Sequence, residues 1–112
     1  VPSFNVIGNS PLVLRESLLD EVYTMGENFV EAAKRVVSPG MNGPFCIEGV
    51  YDENAKFTSF EFSARIVAGT NIYMDGSPYY SLLFNENMSM GKRIAREVKI
   101  AESKKMIEKI VT

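Results

Sequence analysis

Residues 45–66 read FCIEGVYDENAKFTSFEFSARI, and this stretch decides the fold. Apolar side chains alternate on either side of a polar run at 52–56, which predicts two antiparallel strands joined by a tight turn. One face of this hairpin carries apolar residues or glycine at every second position. These residues are Phe45, Ile47, Gly49 and Tyr51 on the first strand, and Phe60, Phe62, Ala64 and Ile66 on the second.

The length of the turn decides which residues face each other. If residues 53–56 form a four-residue loop, Asp52 faces Phe57 and Glu48 lies directly opposite Glu61. Opposed carboxylates with Cβ atoms roughly 5 Å apart repel each other. Mg²⁺ would relieve this repulsion, because it accepts carboxylate oxygens and is often shared with substrate phosphates. The alternative is that both glutamates simply lie on a solvated face, and a one-residue slip would separate them.

Further polar residues follow on the second strand and just after it. Ser63 and Arg65 follow Glu61 at a period of two, so they point to the same side as the carboxylates. Thr70 and Asn71 offer side-chain hydrogen bonds beside this face. The region therefore combines candidate metal ligands with groups that can bind a polar substrate.

Composition limits the classes of function. The chain has 112 residues, 46% of them apolar, with a net charge of −2, which predicts one globular domain without general affinity for nucleic acid or anionic membranes. It has no histidine and a single cysteine, Cys46, which excludes an internal disulfide and a histidine base within this chain. We expect a cytoplasmic protein, and the start at Val1 without methionine is compatible with a segment of something longer.

The first part of the chain predicts a strand, a turn and a helix. Residues 4–7 form an apolar strand candidate, and the following Gly-Asn-Ser-Pro marks a turn. Asn9 in this turn either binds a polar ligand or satisfies its own backbone. Residues 15–37 have helical periodicity, with Gly26 as a possible interruption. Residues 72–87 show no clear periodicity and are expected to form a long loop.

A second helix is predicted near the end of the chain. Ser89 is a typical N-cap for a helix over residues 90–102. Lys92 and Arg93 in its first turn could hold a phosphate, or they could belong to a solvated basic face. Residues 104–112 are expected to form a last helical turn or a short edge strand.

The run Glu61-Phe-Ser-Ala-Arg65 resembles the E-x-N-x-R signature of ATP-grasp ligases. In that superfamily the Glu and Asn hold Mg²⁺ between the phosphates of ATP, and the Arg faces the reacting acyl phosphate. Another acidic metal ligand lies about a dozen residues earlier, and Glu48 is thirteen residues before Glu61. Ser63 departs from the pattern where Asn is usual, and Ser is a weaker ligand.

A closer resemblance covers nearly the whole chain. The segments GNSPLVLRESLL, MGENFVEA, NGPFCIEGV, FEFSARIVAGTN, GSPYYSLLF and MSMGKRIAREVKIA are similar to the C-terminal part of the archaeal formate-dependent FAICAR synthetases. The resemblance implies an ATP-dependent ligase of purine biosynthesis. Its substrates would be ATP, formate and AICAR (aminoimidazole carboxamide ribonucleotide), with formyl phosphate as intermediate and FAICAR, ADP and phosphate as products.

The resemblance also assigns roles to individual residues. By position it makes Glu48 and Glu61 ligands of Mg²⁺ or Mn²⁺, Asn9 a contact of AICAR, and Arg65 the group that stabilises the transferred phosphoryl. Ser63, Thr70 and Asn71 are further candidates.

The resemblance implies an α+β fold, the C-terminal portion of an ATP-grasp fold with an antiparallel sheet and flanking helices. The N-terminal domain and the ATP lid would lie upstream, so residues 1–112 alone would be inactive. It also suggests a homo-oligomer. Two alternatives stay open: another ATP-grasp carboxylate–amine ligase, and a non-catalytic interaction domain of this fold.

Overall fold

The computed structural model describes residues 1–110, apart from the side chain of Asn71. Within residues 1–110, three α-helices and one two-stranded antiparallel sheet form the architecture, which confirms the α+β prediction. The elements are α1 (Leu19–Val36), β1 (Cys46–Tyr51), β2 (Phe57–Ser63), α2 (Pro78–Phe84) and α3 (Met90–Ser103), with 3-10 turns at Glu16–Leu18, Ala68–Ile72 and Ile107–Lys109. Ile107–Lys109 is the helical turn expected for the tail, whose last two residues lie outside the described residues.

The hairpin register is as predicted at the far end of the ladder and different near the turn. Glu48 pairs with Glu61, as the four-residue loop required. On the turn side of this pair, however, Gly49 faces Ser59 and Tyr51 faces Phe57. The second strand therefore carries an extra residue, a β-bulge between the two halves of the ladder.

The turn itself explains the shift. Asp52 Oδ1 accepts hydrogen bonds from the backbone N–H groups of Asn54 and Lys56, both at 2.9 Å. The Asp52 N–H donates to the carbonyl of Lys56 at 3.1 Å, and Ala55 adopts a left-handed φ of 60°. The connection is thus the five residues 52–56, because the Asp52 side chain organises a longer turn than the predicted one.

Helix α1 contacts the apolar face of the hairpin through aromatic rings and leaves much of that face exposed. The Phe29 ring lies 4.8 Å from Phe45 and 4.7 Å from Phe62, centroid to centroid. The prediction that Gly26 interrupts the helix is wrong, since α1 is continuous. A Cβ at Gly26 would lie 3.9 Å from the Phe45 ring, so Phe45 packs over the glycine and this packing offsets its cost of about 1 kcal/mol.

The predicted loop over residues 72–87 is wrong, because it contains α2. Ser77 is the N-cap of this helix, and its Oγ accepts a hydrogen bond from the Tyr79 N–H at 3.3 Å. Proline at the first helical position has the φ that a helix needs. Asn85, in the left-handed conformation with φ 54°, ends the helix. A seven-residue helix is too short for its periodicity to stand out.

Helix α3 begins where predicted and ends one residue later. Its N-cap is Ser89, whose Oγ accepts a hydrogen bond from the Lys92 N–H at 3.2 Å. Just before it lies Met88, which is 1% exposed and donates its N–H to the carbonyl of Asp75 at 3.1 Å. Gly76 has a φ of 78°, and a Cβ there would lie 1.9 Å from the Met88 carbonyl oxygen. Only glycine therefore fits at this junction.

The predicted strand at residues 4–7 is absent from the structure. Residues 1–15 have no helix or strand, and Phe4 and Ile7 are 92% and 100% exposed. A strand needs a partner for its backbone groups, and neither strand of the hairpin pairs with this segment. The segment is instead anchored further along, at Leu12–Leu14, by tyrosine hydroxyl groups.

The described residues bury little of their apolar surface. Met88 and Ala101 are the buried apolar side chains among them. The accessible surface is 9128 Å², whereas a compact chain of this mass exposes about 6,200 Å². The radius of gyration is 15.9 Å, against about 13 Å for a compact domain of this length. The apolar faces of α1 and the hairpin are thus largely open.

None of the helices within residues 1–110 combines the length and the apolar character needed to cross a membrane.

Candidate functional site

One face of the hairpin points away from α1 and carries polar groups. Since directly opposed residues of a ladder share a face, Glu48 lies with Glu61, and Cys46 lies with Ser63. Phe62 lies between Glu61 and Ser63 and contacts α1, so these four side chains lie on the opposite face. We call Cys46, Glu48, Glu61 and Ser63 the carboxylate face.

Glu48 is half-buried and Glu61 is exposed. Their Cβ atoms are about 4.5–5.5 Å apart in a ladder of this kind. Within the described part of the chain, neither carboxylate makes a hydrogen bond or an ion pair. The two groups therefore present unneutralised negative charge at one point of the surface.

The donor set of the pair suits Mg²⁺ or Mn²⁺. Both cations take carboxylate oxygens, and Mg²⁺ in nucleotide sites is usually bound by one or two carboxylates plus substrate phosphates and water. Among the residues that the structure describes, no group of three or more His, Cys, Asp or Glu side chains is arranged to hold a metal ion by itself. The hairpin thus fits a shared site, in which the protein supplies two carboxylates and a phosphate-bearing substrate supplies the rest.

Ser63 lies at the end of β2, on the carboxylate side as predicted. It is half-buried, directly opposite Cys46. Its side chain lies on the same face as Glu61, two residues away along the strand.

Arg65 lies two residues beyond β2 and is exposed. Its Nη1 donates a hydrogen bond to the neighbouring Ile66 carbonyl at 3.0 Å. Its positive charge acts to lower the pKa of the Cys46 thiol. A cation at this edge can meet a negatively charged group bound near the two glutamates.

Cys46 is the member of this face that the sequence reasoning missed. Partial burial raises the pKa of its thiol, and the Glu48 carboxylate raises it further, while Arg65 acts in the opposite direction. The alternation of β1 could have predicted this position, because Cys46 is two residues from Glu48 and therefore shares its face. A raised pKa lowers the thiolate fraction of Cys46 at a given pH.

The substrate-side candidates lie on two other stretches. Thr70 is half-buried in the turn Ala68–Ile72, and Asn71 follows it with a side chain outside the described residues. Asn9 is exposed in the N-terminal segment. The ladder pairing brings Glu48, Glu61 and Ser63 to one face of the hairpin. Within residues 1–110 no hydrogen bond joins Asn9 to that face.

The first turn of α3 uses its cations for packing. Lys92 forms an ion pair with Glu86, and Arg93 Nε pairs with Glu97 at 2.7 Å. The Arg93 guanidinium also lies 5.2 Å from the centroid of the Phe84 ring on α2. The Lys92–Glu86 and Arg93–Phe84 contacts join α3 to the segment before it, whereas the Arg93–Glu97 pair lies within α3. A phosphate at this terminus would have to compete with the two glutamates.

The chain is similar to several archaeal proteins that share one name. A protein from Nitrosopumilus maritimus, named "5-formaminoimidazole-4-carboxamide-1-(beta)-D-ribofuranosyl 5'-monophosphate synthetase", is 85% identical over all 112 residues, which cover 33% of that protein. A protein of the same name from Cenarchaeum symbiosum is 71% identical over 100% of this chain and 33% of its own length. Another from Archaeoglobus fulgidus is 54% identical over 98% of this chain and 31% of its own length. The resemblance to FAICAR synthetases is confirmed, and the chain spans about a third of these relatives.

A solved structure agrees with this relationship. The crystal structure of an IMP biosynthesis protein PurP from Thermococcus kodakaraensis matches with a TM-score of 0.81 and 34% identity, over 99% of this chain and 36% of that one. The model of a family described as a domain of unknown function, DUF1297, matches residues 1–112. The chain therefore belongs to the DUF1297 family.

Proposed function

We propose that this chain is the C-terminal segment of an ATP- and formate-dependent ligase that converts AICAR to FAICAR in purine biosynthesis. The observation that carries the proposal is the direct opposition of Glu48 and Glu61 on an open hairpin face. The name shared by relatives such as the 85% identical one supports FAICAR as the product, and the choice of ATP, formate and AICAR as substrates is our proposal. We place the enzyme in the cytoplasm.

The proposed reaction has two steps. A formate oxygen attacks the γ-phosphorus of ATP, the bond to the bridging oxygen breaks, and formyl phosphate and ADP result. The 5-amino nitrogen of AICAR then attacks the formyl carbon, the carbon–oxygen bond to phosphate breaks, and the nitrogen loses a proton. FAICAR and inorganic phosphate are the final products.

Glu48 and Glu61 would hold Mg²⁺ or Mn²⁺ in this scheme. The bound cation would neutralise charge on the ATP phosphates. Ser63 would add a weak oxygen ligand beside Glu61. The chain's own cation at this edge, Arg65, would stabilise the charge that develops on the transferred phosphoryl group.

The acceptor side of the site would be formed by polar groups outside the hairpin. Asn9 can donate and accept hydrogen bonds at once, which suits the carboxamide or amine of AICAR. Thr70 would contribute a hydroxyl from the turn that follows the hairpin. Asn71, next to it in sequence, is proposed for the same side.

The rest of the site would come from the protein upstream of this segment. An excess of roughly 3,000 Å² of exposed surface over a compact chain supports this, because such apolar faces require a partner. A groove of about 520 Å³ between α1 and β1, lined by Val22, Tyr23, Phe45 and Ile47, is one such open face. We therefore expect residues 1–112 alone to be inactive.

Contacts between copies of a homo-oligomer would involve residues 72–87, where Leu82 and Leu83 are 79% and 70% exposed.

The test is ADP release by the full-length protein with ATP and Mg²⁺, adding formate and AICAR singly and together. We expect turnover only with both, and loss of turnover by about 10²–10³-fold or more in Glu61→Gln. Glu53→Gln, an exposed carboxylate in the hairpin turn, is the matched control. Turnover with a different acid and amine would favour another ATP-grasp ligase, and turnover with no pair would favour a non-catalytic interaction domain.

A further inference from the structure

Two tyrosine hydroxyl groups hold the N-terminal segment. The Tyr73 hydroxyl accepts a hydrogen bond from the Leu12 N–H at 2.9 Å and donates one to the Leu12 carbonyl at 3.1 Å. The Tyr79 hydroxyl donates to the carbonyl of Leu14. These bonds span 61 and 65 residues of sequence, so they join parts of the chain that nothing local brings together.

The position of the segment depends on these bonds. Every residue from 1 to 13 is exposed, so packing contributes little to holding it. The three tyrosine contacts are the hydrogen bonds that link residues 1–14 to the rest of the chain as far as it is described. Without the two hydroxyl groups, residues 1–14 would lose the hydrogen bonds that hold them against the rest of the described chain.

Asn9 lies close to the anchored point along a stiff stretch of chain. Ser10 and Pro11 separate it from Leu12, so the two Cα atoms are three peptide bonds and at most about 11 Å apart. Pro11 fixes its own φ and disfavours helical conformations at Ser10. A restraint at Leu12 therefore limits where the Asn9 side chain can go.

Tyr73 also belongs to the other candidate substrate stretch. It directly follows the turn Ala68–Ile72, and its N–H donates to the carbonyl of Thr70 at 3.1 Å. One residue thus ties the Asn9 segment to the turn that carries Thr70. The Tyr73 hydroxyl and backbone therefore link the position of Leu12 to that of the turn carrying Thr70.

We propose that Tyr73 and Tyr79 are positioning residues that fix the Asn9 segment for the acceptor substrate. The inference rests on the proposed function, since it assigns the acceptor AICAR to Asn9. Neither hydroxyl is required to touch the substrate. Their removal should therefore weaken acceptor binding and leave ATP binding and the chemical steps intact.

The experiment compares Tyr73→Phe, Tyr79→Phe and the double variant in the full-length protein, with Asn9→Ala as the reference for direct loss of the contact. We expect the KM for AICAR to rise about two- to tenfold in each single variant and further in the double one. The KM for ATP and kcat at saturating AICAR should change less than twofold. Tyr51→Phe is the control, because the buried Tyr51 hydroxyl has no partner in the described chain and its ring stays stacked 4.9 Å from Phe57.

Two results would overturn the inference while leaving the proposed function in place. One is an unchanged KM for AICAR in the double variant of an active enzyme. The other is an equal rise in the KM values for ATP and AICAR, which would indicate a general loss of structure. Failure of the wild-type protein to use formate and AICAR would instead overturn the proposed function itself.

Discussion

Glu48 and Glu61 are directly opposite partners in the β1–β2 ladder, although the strands are out of the expected register on the turn side of this pair. The five-residue turn shifts the pairing by one residue, and the bulge in β2 restores it before Glu61 is reached. A one-residue shift without the bulge would have sent one glutamate to the α1 side. The bulge therefore keeps both carboxylates on one face.

The first prediction concerns repulsion within the pair. In metal-free full-length protein, Glu48→Gln should raise the free energy of unfolding by about 0.2–1 kcal/mol, because it removes a like charge opposite Glu61. With saturating Mg²⁺ and ATP the order should reverse, since the variant loses the stabilisation that a bound ligand provides. Urea unfolding under both conditions measures the effect, and Glu53→Gln should match wild type in each. A less stable metal-free Glu48→Gln would contradict the account.

The second prediction concerns the pH dependence of alkylation at Cys46. Because burial and Glu48 raise the pKa of this thiol, its thiolate fraction at pH 8 is lower than that of an unfolded cysteine. Iodoacetamide should therefore react more slowly with the folded, metal-free protein, and the rate should keep rising above the pH at which an ordinary thiol has titrated. Mass spectrometry of the Cys46 peptide gives the rate.

Two substitutions test the cause of that shift. Glu48→Gln should speed alkylation at fixed pH, since removing the negative charge lowers the Cys46 pKa. Arg65→Gln should slow it, since removing the positive charge raises the pKa. The account would be wrong about this face if Glu48→Gln left the rate unchanged or slowed it.

The third prediction compares two glycines. Gly76→Ala should destabilise the full-length protein by at least about 2 kcal/mol, because the methyl group would clash with the Met88 carbonyl and the φ of 78° disfavours any Cβ. Gly91→Ala, in the first turn of α3 with no atom within 4 Å of the added Cβ, should stabilise it by about 0.5–1 kcal/mol. Urea unfolding gives both values. Equal effects of the two changes would contradict the junction described at Met88.

The sequence predicted those parts of the fold that depend on local pattern. Alternation with an assumed four-residue loop predicted Glu48 opposite Glu61, which the bulge in β2 keeps true despite the different turn, and an N-cap serine predicted the start of α3. Three features depend on contacts that no local pattern shows. Asp52 folds back on its own turn, Phe45 packs over Gly26, and residues 4–7 have no strand to pair with.

The candidate site also has residues that local pattern predicts and residues that depend on distant contacts. The period of two predicted the side on which Ser63 lies, and the same rule applied to β1 would have found Cys46. The tyrosine hydrogen bonds to the Asn9 segment could not be predicted. Their partners are separated by 61 and 65 positions in the sequence, and such distant pairs produce no periodic pattern. The roles of formate and AICAR come from resemblance and stay predictions.

The most direct test of the central claim is a titration of the full-length protein with Mn²⁺ in the presence of ATP. Electron paramagnetic resonance of the free ion measures how much Mn²⁺ is bound. The claim is that Glu48 and Glu61 together hold a divalent cation shared with ATP. We predict that Glu61→Gln and Glu48→Gln each weaken Mn²⁺ binding at least about tenfold, as loss of a charged ligand should. Glu53→Gln should bind as wild type does. Wild-type Mn²⁺ affinity in Glu61→Gln would contradict the claim.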